Sequence, residues 1–300
     1  MQDEISILDL LNIIKRRLLL LLTATSITVL AVALVVFLFI SNKYTSVALV
    51  KPAQENQVNS FGGNLGGIAS LAGIDINDSS AIDLMESIIL SRLFFKNLII
   101  DEKIGIEFYE TSNFDLTSRT PVYSERVDIG DNLQWKIHKD TKLSLKPSFE
   151  KMYKNYLQRI RVDSISGSNL AFISFTHESP IFAMEFLSMI LRNINDSQKT
   201  IDLNFYDNTI KFLKLEVASA RESEVRTTLS QLIGGQLTNY LIAKHKDQYF
   251  LETIDPPFIP EQKSSPVRSR ILLFSLLISL FLYSLLLILY DIFPSRDFSK

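Results

Sequence analysis

The 300-residue chain is nearly neutral, with 31 Lys and Arg against 33 Asp and Glu, and it contains no cysteine. Residues 41–270 keep this balance, with 26 basic against 28 acidic residues, so no basic surface for nucleic acid is predicted. The absence of cysteine excludes disulfides, Cys-ligated zinc and thiol catalysis.

Two apolar segments without a charged side chain lie near the two ends of the chain, at residues 18–40 and 271–290. A helix rises about 1.5 Å per residue, so each segment can cross a hydrocarbon core of about 30 Å. The first segment is too long for the apolar region of a signal peptide, and no small-residue cleavage site follows it. We therefore predict two transmembrane helices.

The basic cluster Lys15, Arg16 and Arg17 before the first span favours a cytoplasmic N-terminus. Arg268 and Arg270 oppose this orientation, but charges that border a long translocated domain count for less. The predicted organisation is a cytoplasmic segment 1–17, a transmembrane helix 18–40, an external domain 41–270, a transmembrane helix 271–290 and a short cytoplasmic tail 291–300. Residues 1–17 are amphipathic, and either continue the first span or form a docking helix for a partner.

The external domain is predicted to mix strands and helices. Strands are expected at 44–50, at 161–165 and 170–176 around a Ser-Gly-Ser-Asn turn, and at 249–254, which should pair with the first strand. Helices are expected from the Ser79, Ser80 or Asp83 caps to about Ile100, and from Pro147 to about Ile160. Residues 51–80 are rich in Asn, Gly and Ser, and residues 101–147 give no clear pattern. Four prolines within residues 255–266 predict a stiff extended strut before the second span.

Residues 181–233 contain neither Gly nor Pro, and they predict one helix of about 80 Å. Its apolar residues recur on one side as a stripe, which consists of Leu187, Ile190, Ile194, Ile201, Phe205, Phe212 and Leu215. Such a rod needs partner helices, most simply from sister copies. The alternative is two helices broken near residues 193–198, where helix propensity is weak. Gly234 and Gly235 should end the long helix, and a short one should resume to Lys246.

No catalytic or cofactor-binding motif is found. The glycines at 62, 63, 66 and 67 lack the Gly-Lys-Ser/Thr of a phosphate loop, and instead predict a flexible loop. The three histidines are far apart, and no carboxylate pair, nucleophile elbow or nucleotide fingerprint stands out. We therefore expect neither an enzyme nor a bound metal or cofactor.

In its order of features the chain resembles the polysaccharide co-polymerase family, the Wzz-type chain length determinants. The segment 5–11 and the basic cluster precede the first span, as in that family. The loop 62–73, with Gly62, Gly63, Gly66 and Gly67, resembles the family's Gly-rich stretch. The strut with Pro256, Pro257, Pro260 and Pro266 resembles the family's proline-rich approach to the second span. The resemblance covers essentially the whole chain, which stops after the second span, as in the class without a fused kinase.

The resemblance implies an α+β inner-membrane protein whose periplasmic domain has an α/β base and a long extended helix. It implies a ringed homo-oligomer that acts as a non-catalytic scaffold with a Wzy-type polymerase. The expected function is control of the chain length of O-antigen or a related glycan, with the lipid-linked glycan and membrane lipid as further partners. A charge on the stripe, such as Ile194→Glu, is expected to weaken assembly.

Two other functions stay open at this point. The chain could be the partner of a separate tyrosine kinase in capsule or exopolysaccharide export, although residues 291–300 offer little to grip a kinase. It could also be a membrane-anchored periplasmic sensor, whose output partner would have to bind residues 1–17. A glycan-modifying enzyme is disfavoured, because no acid/base pair is identifiable.

Overall fold

The computed structural model describes residues 15–53, 79–130, 133–138 and 142–292. The chain divides into two compact units, one made of residues 1–42 and 263–300 and the other of residues 43–262. The predicted α+β organisation, with an apolar helix near each end, is confirmed.

The first unit contains a pair of apolar helices, α1 (Leu18–Phe39) and, at the other end of the chain, α8 (Arg268–Ile292). They run antiparallel: the Arg17 guanidinium lies 4.8 Å from the centre of the Tyr290 ring, and that of Arg268 lies 4.6 Å from the centre of the Phe37 ring. A cation–π contact therefore joins the helices at each end of the pair. Both helices are long and apolar enough to cross a membrane, as predicted.

The second unit is built on a four-stranded antiparallel sheet of β1 (Tyr44–Pro52), β6 (Ile160–Ser164), β7 (Ala171–His177) and β8 (Leu251–Asp255). The spatial order is β6-β7-β1-β8. The predicted pairing of the first strand with the last is confirmed, with Val50 opposite Thr253. Gly167 has a φ of 76° in the turn between β6 and β7, a conformation that glycine adopts without strain.

Among the described residues, this unit also contains four short helices and two small β-hairpins. The helices are α2 (Ser79–Ile89), α3 (Arg92–Leu98), α4 (Glu102–Glu110) and α5 (Phe149–Arg159), and the strands are β2 (Thr111–Asp115), β3 (Thr120–Tyr123), β4 (Val127–Ile129) and β5 (Leu133–Trp135). The prediction of a single helix to residue 100 was wrong. Helix α2 ends before Leu90. The Ser91 hydroxyl then accepts a hydrogen bond from the Phe94 amide and so caps the N-terminus of α3, which is a separate helix.

Two helices form an antiparallel hairpin, α6 (Pro180–Ser219) and α7 (Ser223–His245). At 40 residues α6 is about 60 Å long. The predicted unbroken helix over 181–233 was wrong, because Ala220 and Glu222 are extended and the chain turns back there. The other two predicted break points lie inside helices, residues 193–198 in α6 and Gly234–Gly235 in α7. The reversal lets α7 cover one face of α6, which a straight rod would leave in water.

The core of the second unit is an aromatic cluster where the sheet meets its helices. The Phe95 and Tyr156 rings stack with centroids 4.6 Å apart, the Phe175 and Phe186 rings meet at a tilt with the same centroid distance, and Phe108 lies between the two pairs. All five rings are buried. The Tyr156 hydroxyl donates to the Ile89 carbonyl, so its polar atom is satisfied inside the core. These contacts fix the first half of α6 on the sheet.

Candidate assembly surface

The first half of the predicted stripe belongs to the protein's own core. Leu187, Ile190 and Ile194 are fully buried among the residues that cover the sheet. Because the folded chain already buries them, they cannot contact a second copy. The surface available for assembly is therefore narrower than the seven residues predicted, and Ile194→Glu would disrupt the core.

A buried asparagine, missed at the sequence level, holds α6 against β8. The Asn195 Oδ1 atom accepts hydrogen bonds from the amides of Phe250 and Leu251, at 2.7 and 2.8 Å. Its Nδ2 atom donates to the carbonyls of Leu191 and Leu251, at 3.0 and 3.2 Å. The low helix propensity of this segment is thus offset by tertiary hydrogen bonds, and the helix continues through it.

Buried tyrosines pack at the inner face of the helical hairpin. Tyr206 and Ala243 are buried between α6 and α7. The Tyr249 hydroxyl donates to Asp202 Oδ2 at 2.6 Å, and burial together with this carboxylate raises the pKa of Tyr249. The Lys199 ammonium donates to the Lys246 carbonyl at 3.1 Å, which ties the end of α7 back to α6.

The outer face of α6 carries the second half of the stripe. We call these four exposed residues, Ile201, Phe205, Phe212 and Leu215, the outer stripe. Leu215 is 71% exposed and Phe212 59%. At about 100° per residue the outer stripe lies almost opposite the Tyr206 and Ile210 side chains, which face the hairpin interior. It therefore points away from α7.

The return helix α7 adds exposed apolar residues that were not predicted. They are Val225, Leu232, Leu237, Leu241 and Ile242. The spacing of 225 to 232 and of 237 to 241 is helical, and this signal was available in the sequence. Large apolar side chains exposed along both helices are typical of a surface that contacts another protein.

The predicted glycine and proline residues fall in different parts of the chain. Gly62, Gly63, Gly66 and Gly67 lie outside the described residues. Pro256, Pro257 and Pro260 follow β8 in a segment that is neither helix nor strand, as predicted.

The strut is attached to the sheet by a hydrogen bond from the Ser46 hydroxyl to the Phe258 carbonyl at 2.8 Å. Pro260 is buried. Pro266 belongs to the membrane-helix unit and follows a cis peptide bond just before α8.

A buried ionic cluster in the second unit has a structural role, because its polar atoms bind one another and the main chain. The Arg159 guanidinium donates hydrogen bonds to both carboxylate oxygens of Glu178. Although burial opposes ionisation of Glu178, Arg159 holds its pKa below the usual value. Burial, reinforced by Arg159, lowers the pKa of His177 to about 4. The neutral imidazole accepts from the Ser179 amide and shares its other nitrogen with the Phe108 carbonyl, so its polar atoms are occupied.

Comparison with known proteins gives a family for the N-terminal third of the chain. Residues 3–102 match the family model described as Wzz, chain length determinant protein. No curated protein matches the chain.

Similar solved structures include a full-length bacterial polysaccharide co-polymerase, at 11% identity and a TM-score of 0.40, covering 97% of this chain and 100% of its own. They also include a fragment of WzzB, a polysaccharide co-polymerase from Salmonella Typhimurium, at 14% identity and a TM-score of 0.34, covering 75% and 100%. Over residues 3–102, one third of its length, the chain is thus similar to the Wzz chain length determinant proteins.

Proposed function

We propose that this protein is a non-catalytic regulator of the chain length of a surface polysaccharide, O-antigen or a related glycan. The observation that carries the proposal is the match of residues 3–102 to the Wzz family model. In this role the protein makes and breaks no bond. It acts as an oligomeric scaffold beside a Wzy-type polymerase that elongates the glycan on its lipid carrier.

The proposed location is the bacterial inner membrane, with both termini in the cytoplasm and residues 41–270 in the periplasm. Two antiparallel helices of membrane-spanning length support a two-pass arrangement. The basic cluster Lys15, Arg16 and Arg17 before α1 favours a cytoplasmic N-terminus.

Self-association is proposed through the outer stripe of α6, with the exposed apolar residues of α7 contributing. The outer stripe is spaced by 4, 7 and 3 residues, which suits packing against a helix of a second copy. Because α7 already covers the opposite face of α6, the outer stripe is the face of α6 that a sister copy can reach.

The function is tested by deleting the gene and separating the surface polysaccharide by gel electrophoresis. The expected result is loss of the modal cluster of chain lengths, restored by the wild-type gene. An unaltered ladder would refute the proposal. An unaltered ladder with loss of capsule export would favour the kinase partner, and a lost response to an external stimulus would favour the sensor.

The assembly surface is tested by the Phe212→Glu variant, with Ala218→Glu as the matched control on the same helix. Both residues are exposed, so both variants should fold, but only the first places a charge on the outer stripe. Burying an unpaired charge between copies costs several kcal/mol, so Phe212→Glu should lower the oligomer size measured by light scattering in mild detergent. The same variant should randomise glycan length. Equal oligomer size for Phe212→Glu and Ala218→Glu would contradict the proposal that the outer stripe mediates assembly.

A further inference from the structure

A small cleft lies between the β2–β3 hairpin, helix α4 and the start of α6. Its volume is about 190 Å³, below the range of about 300–1,000 Å³ that holds drug-sized ligands. The apolar part of its wall is formed by Phe114, Pro121, Ile181 and Phe182. Both phenylalanines are largely buried, so the apolar wall is preformed.

Charges of both signs line the cleft. Glu107 and Glu185 both line it, and burial together with the Glu185 charge raises the pKa of Glu107. The Tyr123 hydroxyl approaches Glu107 Oε1 at 3.5 Å. Arg119 lines the same cleft. Among the residues that the structure describes, neither Arg119 nor Glu185 forms an ion pair or a side-chain hydrogen bond.

The presence of both signs of charge determines what can bind. The two carboxylates of Glu107 and Glu185 repel a free anion, and Arg119 offsets part of their attraction for a free cation. A neutral ligand with adjacent hydroxyl groups can donate to a carboxylate and accept from the guanidinium at the same time. Its apolar C–H face can rest on Phe114 or Phe182. A pyranose ring has these properties and fits the volume.

We propose that this cleft binds one neutral hexose or N-acetylhexosamine residue of a glycan. The proposal deepens the proposed function, on which it rests, because it gives the scaffold a direct contact with the polysaccharide. Arg119, Glu107 and Glu185 bind the hydroxyl groups, and the phenylalanines support the ring.

The backbone at Arg119 makes a clean test possible. Arg119 has a φ of 55°, in the left-handed region that favours glycine. Arg119→Gly therefore removes the guanidinium without straining the turn. Lys142 has a φ of 53° and does not line the cleft, so Lys142→Gly is the matched control. The carboxylates are tested by a Glu107→Gln/Glu185→Gln double variant, with the exposed Glu125→Gln as control.

The experiment measures saturation transfer by NMR from the full-length protein in lipid nanodiscs, since alkyl glycoside detergents would compete. The probes are the methyl glycosides of glucose, galactose, mannose and N-acetylglucosamine, with methyl glucuronide as a charged comparison. We expect binding of at least one neutral glycoside, weakened about tenfold or more in Arg119→Gly and in the double glutamine variant. Lys142→Gly and Glu125→Gln should bind like the wild type.

Three results would refute the proposal that the cleft binds a sugar. They are no saturation transfer to any neutral glycoside, equal saturation transfer in the cleft variants and their controls, or a preference for the glucuronide. These results are separate from the gel of the deletion strain. Glycoside binding with an unaltered glycan ladder would leave the cleft standing and refute the chain-length function. An altered ladder without glycoside binding would refute sugar binding in the cleft but not the chain-length function.

Discussion

Asn195 shows how one buried polar side chain determines the path of a whole helix. Its amide makes four hydrogen bonds, three of them to the main chain at Phe250 and Leu251, where the chain enters β8. These bonds join residues that are 55 or 56 positions apart in the sequence. They place the base of the helical hairpin against the sheet.

The replacement Asn195→Leu should lower the free energy of unfolding by about 3 kcal/mol. It leaves the buried amides of Phe250 and Leu251 without acceptors, and each unsatisfied group costs about 1–3 kcal/mol. The matched control is Asn193→Leu, because the Asn193 side chain donates only to the Met189 carbonyl one turn earlier in the same helix. Thermal and urea unfolding of the solubilised protein measure the free energy of unfolding of both variants. An equal loss in the two variants would contradict the anchoring role.

At the scale of elements, local patterns predicted the four strands of the main sheet and the strut, but not the two small hairpins of residues 111–135. The alternating residues of β1, the turn around Gly167 and the return strand β8 all follow two-residue periodicity and turn chemistry. The prolines at 256, 257 and 260 prevent regular structure after β8.

Helix ends, and the part of the stripe left exposed, could not be predicted in the same way. The α6–α7 reversal at Ala220–Glu222 contains neither Gly nor Pro, so tertiary packing of Tyr206 and Ala243 decides it. Period alone places Ile194 and Phe212 on one stripe. Only the sheet, formed from distant strands, determines that Ile194 is buried while Phe212 is exposed.

Gly234 and Gly235 lie inside α7, where alanine is the better residue. A Cβ atom at either position meets nothing within 4 Å. The Gly234→Ala/Gly235→Ala variant should therefore gain about 1 kcal/mol per site in the free energy of unfolding, seen as a higher melting temperature. The contrasting control is Gly167→Ala, whose φ of 76° should make it destabilising. A lower melting temperature for the double variant would show that the glycines serve a bend in α7.

At the scale of the whole molecule, the two ends of the chain meet in one helical unit, and residues 43–262 form the other. The extended segment from 256 to 266 links the last strand to α8. In the proposed two-pass arrangement, the central domain lies on one face of the membrane and both termini lie on the other. Which face is which depends on competing charges, since Arg17 lies at one end of the helix pair and Arg268 at the other.

The orientation is tested by fusions with reporters that work on only one side of the membrane. Alkaline phosphatase fused after Gln262, before α8, should be active outside the cytoplasm, whereas the same enzyme fused after Lys300 should be inactive. Green fluorescent protein after Lys300 should fluoresce. If the cluster at 15–17 sets the orientation, replacing Lys15, Arg16 and Arg17 by Gln should leave Arg268 and Arg270 unopposed, and some molecules should invert. Active phosphatase after Lys300 in the unmodified chain would place the central domain in the cytoplasm, away from a periplasmic glycan. Such a result would remove the physical basis of the proposed function.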